Sequence, residues 1–226
     1  MNLDHFHGVE LDIRDDGRGS ALVEHSPLFR MRPAMRRPSL KPLDRTLDYL
    51  AERERPPALV LLDVKCEAAA GLAARHVAAA KPPFEILFNC WHKGEVAAIR
   101  DELPGARVLF TVAPIVARRA PRGRFRDLYL SNSFPFVRSS LRFRPRLEKT
   151  NRHNINVKLI ARNRLSALLP RGIDGVCLHR FFWSEEFADF TERRGLQTAV
   201  YGLPCRTHRK LAVIGERADY AIIRAA

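Results

Sequence analysis

No apolar run in this chain approaches the ~18 residues that a bilayer crossing needs. Residues 1–8 are polar and hold no signal-peptide core. A soluble, cytoplasmic protein is therefore expected, unless an export signal has been lost with an earlier N-terminus. Cysteine is scarce: Cys66, Cys90, Cys177 and Cys205 are the whole supply, and no C-x-x-C pair occurs. That excludes a zinc ribbon or a thioredoxin-type centre. Each cysteine falls near the end of an expected strand, where a small, buried, reduced thiol is the natural reading. No glycine-rich phosphate loop is present. Gly17-Arg18-Gly19 is a turn, and it gives nucleotide binding no support. Lysine is rare as well, with seven among 39 basic residues.

What remains is an ordinary globular composition, 46% hydrophobic and 28% charged, in 226 residues. That is enough for one domain with a full core. A single domain over 1–226 is expected, with a basic insertion around 114–172. The net charge is +14 and is carried by arginine. Codon bias in a GC-rich genome accounts for such a balance; so does an anionic partner.

Short apolar runs alternate with helical patterns. Strands are expected at 8–13, 58–65, 84–89, 107–113, 175–179, 197–203 and 219–224. Helices are expected at 43–54, 67–80, 93–103, 184–194 and 206–215. Strand starts at 58, 84 and 107, and again at 175, 197 and 219, are spaced by about one strand-loop-helix-loop unit. The pattern predicts an α/β fold of the (β/α)8 TIM-barrel type, with seven strands identified and the first β-α unit missing. An open doubly wound sheet is the alternative. A barrel short of one strand exposes two sheet edges, which makes an oligomer or another partner a candidate.

The chemistry concentrates in residues 8–27, GVELDIRDDGRGSALVEHSP. Glu10 and Asp12 are two apart on a strand, so both carboxylates share one face. Turned inward, they repel each other and resist ionisation. A divalent cation resolves that conflict; a solvent-facing pair never meets it. His25 follows in a loop, where it can protonate a leaving group. Asp63 and Lys65 again share a face, at the end of an apolar strand. They read either as an ion pair fastening the strand end, or as a third metal carboxylate beside a cation for phosphate. His92 follows the strand at 84–89, and His179 ends the strand at 175–179. Each is a rim histidine bonded to backbone or water, or a substrate contact.

The run G-V-E-L-D-I-R, then D-G, then a short apolar stretch into H-S-P, then L-D-V-K, resembles the glycerophosphodiester phosphodiesterases. The wider superfamily includes the phospholipase D toxins and the phosphatidylinositol-specific phospholipases C. The tail is similar too: residues 183–204 place a helix before a strand, and 218–224 (ADYAIIR) lie where the family's closing strand lies. The resemblance covers 8 to about 113 and 173–224. It implies a metal-dependent hydrolase of glycerophosphodiesters or related phospholipid-derived phosphodiesters. Glu10, Asp12 and Asp63 would hold Mg²⁺ or Ca²⁺, Lys65 would bind the phosphate, and His25 would be the general acid. The sequence departs from the family in several places. The opening strand that ends in the first catalytic His is absent, and His5 and His7 sit at the wrong end of the next strand to replace it. Ser26 stands where the family has Asp, and Val200-Tyr201-Gly202-Leu203 where it has W-T-V-N. Residues 150–169 match nothing in it. Slow turnover is the expectation that follows.

Residues 118–152 hold eleven basic and two acidic side chains, a net +9, interleaved with Phe125, Tyr129, Phe134, Phe136 and Phe143. A solvated loop, an anionic membrane surface and a nucleic-acid backbone all fit that pattern. A lipid-derived substrate favours the membrane, and no recognised nucleic-acid motif is present. Two rivals to the enzyme remain: a non-catalytic barrel that binds phosphate ligands, and a basic nucleic-acid-binding protein.

Overall fold

A computed structural model of the chain describes residues 7–24, 41–112, 114–116, 128–130, 169–180, 183, 185–204 and 216–224. It divides into two compact units, Met1–Leu109 and Phe110–Ala226.

The first unit runs β1 (Gly8–Asp15), β2 (Ala21–Val23), β3 (Lys41–Pro42), α1 (Leu43–Ala51), β4 (Leu59–Val64), α2 (Glu67–Ala80), β5 (Glu85–Cys90) and α3 (Lys93–Glu102). It ends in the start of β6 (Arg107–Val112). β1, β4 and β5 are parallel neighbours, and β2 and β3 add antiparallel at one side. β4 reads LVLLDV and is buried from Val60 to Val64, as a parallel strand covered on both faces must be. α2 buries Ala69, Ala70, Ala73, Ala74 and Val77, small side chains that let a helix backbone approach its neighbours closely. Gly8 opens β1 because a Cβ there would stand 2.5 Å from the Leu59 carbonyl oxygen.

The β1–β2 hairpin is an element that apolar periodicity does not reveal. Its signal is turn chemistry in D-D-G-R-G-S. Gly17 donates its N–H to Asp15 Oδ2 at 2.9 Å. Arg18 and Ser20 donate theirs to Asp16 Oδ1 at 2.8 and 2.9 Å. Gly17 and Gly19 take positive φ, 70° and 91°, which only glycine adopts freely. Pairing with β2 carries β1 on to Asp15, two residues past its expected end. α1 stops at Ala51 instead of 54, with Glu52 as its C-cap.

The second unit contains the short antiparallel pair β7 (Pro114–Val116) and β8 (Leu128–Leu130). It also contains β9 (Gly175–His179), α4 (Glu185–Glu192), β10 (Gln197–Pro204) and β11 (Tyr220–Arg224). β9, β10 and β11 are parallel neighbours. Their core is Val112, Val176, Leu178, Phe187, Phe190, Val200 and Leu203. β10 bulges between Val200 and Leu203, around Gly202 at φ 76°. All seven expected strands are present, each within two residues of its expected ends. The expected helix at 206–215 and nearly all of the basic insertion lie outside the described residues. Among the described residues no helix is long and apolar enough to cross a membrane. Cys90 and Cys177 are buried free thiols, as expected, and Cys66 is half-buried.

Candidate active site

Strand register, not sequence proximity, assembles this site. Asp12 of β1 pairs with Asp63 of β4, and Asp63 pairs with Asn89 of β5. Paired residues on parallel strands face the same side, so these three form a row across the first unit's sheet. Glu10 lies two residues earlier on the same face. Glu10, Asp12 and Asp63 offer carboxylate oxygens within 4.8 Å of one another. One divalent ion with two ~2.4 Å bonds spans about that distance. Glu10 is exposed, Asp12 largely buried and Asp63 buried. The donor set is all oxygen, which suits a hard cation such as Mg²⁺ or Ca²⁺.

Lys65, just past the end of β4, lies among these groups. Its Nζ is 2.6 Å from Asp12 Oδ1 and bonds Asp63 Oδ2 as well. Only 9% of its side chain is exposed. Burial works against the ammonium, but the charges of Asp63 and Asp12 outweigh it and raise the Lys65 pKa. Burial pushes Asp63 upward, opposed by Lys65 and assisted by the Asp12 charge. Three carboxylates with one ammonium among them leave a net negative cluster that still favours a cation.

Two more side chains complete the surroundings of Asp63. Asn89 Nδ2 donates to Asp63 Oδ1 at 3.1 Å. The Trp91 indole N–H donates to the same oxygen at 2.7 Å. A carboxylate has about four lone-pair sites. Asn89, Trp91 and Lys65 occupy three, which leaves about one for a metal ion.

Glu95 is 0% exposed, at the third position of α3. Its Oε2 accepts the backbone N–H of Trp91 at 2.5 Å and of His92 at 2.9 Å. The helix start is thereby capped from within. Burial pushes the Glu95 carboxyl up to about 7; the two backbone N–H bonds pull against it, as does the Lys65 charge, and the Asp63 charge adds to it. Cys66 heads α2, and its thiol donates to Asp15 Oδ1 at 2.9 Å. Burial and that bond push the thiol up to about 11, so it is a poor nucleophile.

Of the residues singled out from sequence, the structure brings together Glu10, Asp12, Asp63 and Lys65. His92 begins α3 and is half-buried, which lowers its pKa. His179 closes β9 in the second unit, and its side chain lies outside the described residues, as does all of His25. Asn89, Trp91 and Glu95 escaped the sequence reading. Asn89 ends an apolar strand just as Asp63 does, and Glu95 falls three residues after His92, the spacing of a helix-capping box. Those were the available signals.

No protein-family model matches the sequence, and no curated protein matches it. Solved structures do match in fold. A phosphodiesterase from Oleispira antarctica, in complex with the product sn-glycerol-3-phosphate, aligns over 97% of this chain and 81% of its own, with a TM-score of 0.62 at 11% identity. A glycerophosphodiester phosphodiesterase from Parabacteroides distasonis aligns over 96% and 79%, with a TM-score of 0.56 at 12% identity. One from Agrobacterium tumefaciens aligns over 96% and 83%, with a TM-score of 0.54 at 13% identity. The chain therefore carries the α/β, TIM-type fold of the glycerophosphodiester phosphodiesterases.

Proposed function

We propose that this protein is a metal-dependent phosphodiesterase acting on glycerophosphodiesters or related phospholipid-derived phosphodiesters. The observation that carries this reading is the carboxylate group on adjacent strands: Glu10, Asp12 and Asp63 within 4.8 Å, with Lys65 bonded to two of them. The shared fold supports it, and so does the glycerol phosphate held by the Oleispira protein.

In this reading Glu10, Asp12 and Asp63 hold one Mg²⁺ or Ca²⁺. A bound divalent ion supplies Lewis-acid charge that polarises a phosphodiester and offsets charge on its equatorial oxygens. Lys65 adds a compact positive charge to the same phosphate, presented from a strand end and held in place by two carboxylates. His25 delivers a proton to the leaving alkoxide as its bond to phosphorus breaks. His92 and His179 are assigned to substrate contacts. The arginine-rich segment 118–152 provides an anionic membrane contact suited to a lipid-derived substrate, with nucleic acid the weaker candidate.

The test is hydrolysis of a glycerophosphodiester with and without Mg²⁺ or Ca²⁺, followed as released glycerol phosphate. Cation-dependent release is expected, reduced about 10²- to 10⁴-fold by His25→Ala. Release that survives chelation, or that His25→Ala leaves intact, would remove the corresponding role.

A further inference from the structure

We infer that Trp91 is a positioning residue for the metal site, acting through Asp63. The inference rests on the metal reading proposed above. Asp63 stands between Asp12 and Asn89 in the row across the sheet, and its orientation decides whether the carboxylates can close on one ion. The indole N–H of Trp91 is a single donor on a rigid ring, 2.7 Å from Asp63 Oδ1. The Trp91 backbone is itself held, because its N–H donates to the buried Glu95 carboxyl at 2.5 Å. The far side of the arrangement is fixed too. Lys65 Nζ stands 5.4 Å from the centroid of the Trp91 ring while it bonds Asp63 and Asp12. One side chain thus touches the buried carboxylate and the ammonium of the cluster, and its backbone is anchored to the start of α3.

Asn89 alone does not do this. Its amide bond to the same oxygen is longer, 3.1 Å. With the indole donor removed, Asp63 keeps Lys65 on Oδ2 and one amide on Oδ1, and its plane is freer to turn. Partners that orient a metal ligand in this way typically govern metal affinity by about 10- to 100-fold. Trp91→Phe keeps an aromatic ring at this position and deletes the donor together with the five-membered ring that carries it.

The experiment uses the full chain in a Trp183→Phe background. Trp183 is the only other tryptophan in the sequence, so one indole signal then remains. Two measurements are made. Calorimetric titration with Mg²⁺ and with Ca²⁺ compares that background with its Trp91→Phe form. Proton-nitrogen NMR follows the indole N–H resonance with and without Asp63→Asn. The inference predicts a 10- to 100-fold weaker ion affinity in Trp91→Phe, at an unchanged melting temperature in chelator. It also predicts an upfield shift of the indole resonance in Asp63→Asn, because a charge-assisted bond has become a neutral one. Equal affinity in the two proteins overturns the inference while the metal reading stands. So does an indole resonance that ignores Asp63→Asn, and this readout needs no folded Trp91 variant. If the background protein binds neither ion, the metal reading is what fails. The NMR result then decides the contact: a shifted resonance keeps Trp91 as the anchor of Asp63, and an unshifted one removes it.

Discussion

Lys65→Met is expected to destabilise the protein by about 3 to 5 kcal/mol in the presence of a chelator, the usual cost of removing one partner from a buried ion pair. The ammonium is 9% exposed and its two carboxylate partners, Asp12 and Asp63, are 10% and 6% exposed. Without it, three carboxylates face one another with no positive charge bonded to Asp12 and Asp63 by Lys65. Methionine is close in length, so little of the loss is packing. A divalent cation should then do what the ammonium did. Anything that binds only the folded state stabilises it by mass action, so the variant's midpoint in urea should rise with Mg²⁺ or Ca²⁺ more steeply than the parent's. Urea unfolding with chelator and with each cation checks this. A loss of a few tenths of a kcal/mol, insensitive to cations, would mean that the cluster tolerates its charge by hydration and needs neither ion.

Glu95→Gln should change stability in the opposite direction, and only above mildly acidic pH. The Glu95 carboxyl titrates at about 7 in the folded protein against 4.5 for an ordinary glutamate. A raised acid binds its proton more tightly when folded. Its contribution is fully present below about pH 4.5 and is lost as pH rises through about 7. Each pKa unit is worth about 1.4 kcal/mol, so the ionised, buried group costs the folded state about 3 kcal/mol above pH 7. Glutamine keeps an oxygen to accept the Trp91 and His92 backbone N–H groups and cannot ionise. The stability of the variant relative to the parent should therefore climb by about 3 kcal/mol between pH 4.5 and 7, then level off. Asp63 and Lys65 act on Glu95 in opposite senses and are unchanged in the variant. Denaturant unfolding across that range in chelator reads the climb directly. A flat difference would mean that Glu95 titrates as an ordinary glutamate.

Much of this arrangement is legible in the sequence, for physical reasons that also mark its limit. β4 and β5 show themselves as apolar runs because strands covered on both faces must be apolar. A polar residue at the end of such a run, Asp63 or Asn89, then stands out. Period-2 alternation puts Glu10 and Asp12 on one face, and Asp63 and Lys65 on another strand's face. What one strand does not disclose is its lateral register against the next. Asp12 meets Asp63, and Asp63 meets Asn89, only because β1, β4 and β5 align at those residues. Trp91 and Glu95 were further out of reach, since one acts across strands through an indole N–H and the other caps a helix from inside the core. The β1–β2 hairpin was written in Asp and Gly turn residues and not in hydrophobic pattern.

The proposed chemistry requires that Glu10, Asp12 and Asp63 hold one divalent cation together. Calorimetric titration of the 226-residue chain with Mg²⁺ and with Ca²⁺, beside Glu10→Gln/Asp12→Asn, tests it most directly. One ion bound per chain is expected in the parent and none in the double variant, with both proteins folded. Undiminished binding in the double variant, or no binding of either ion by the parent, would contradict it.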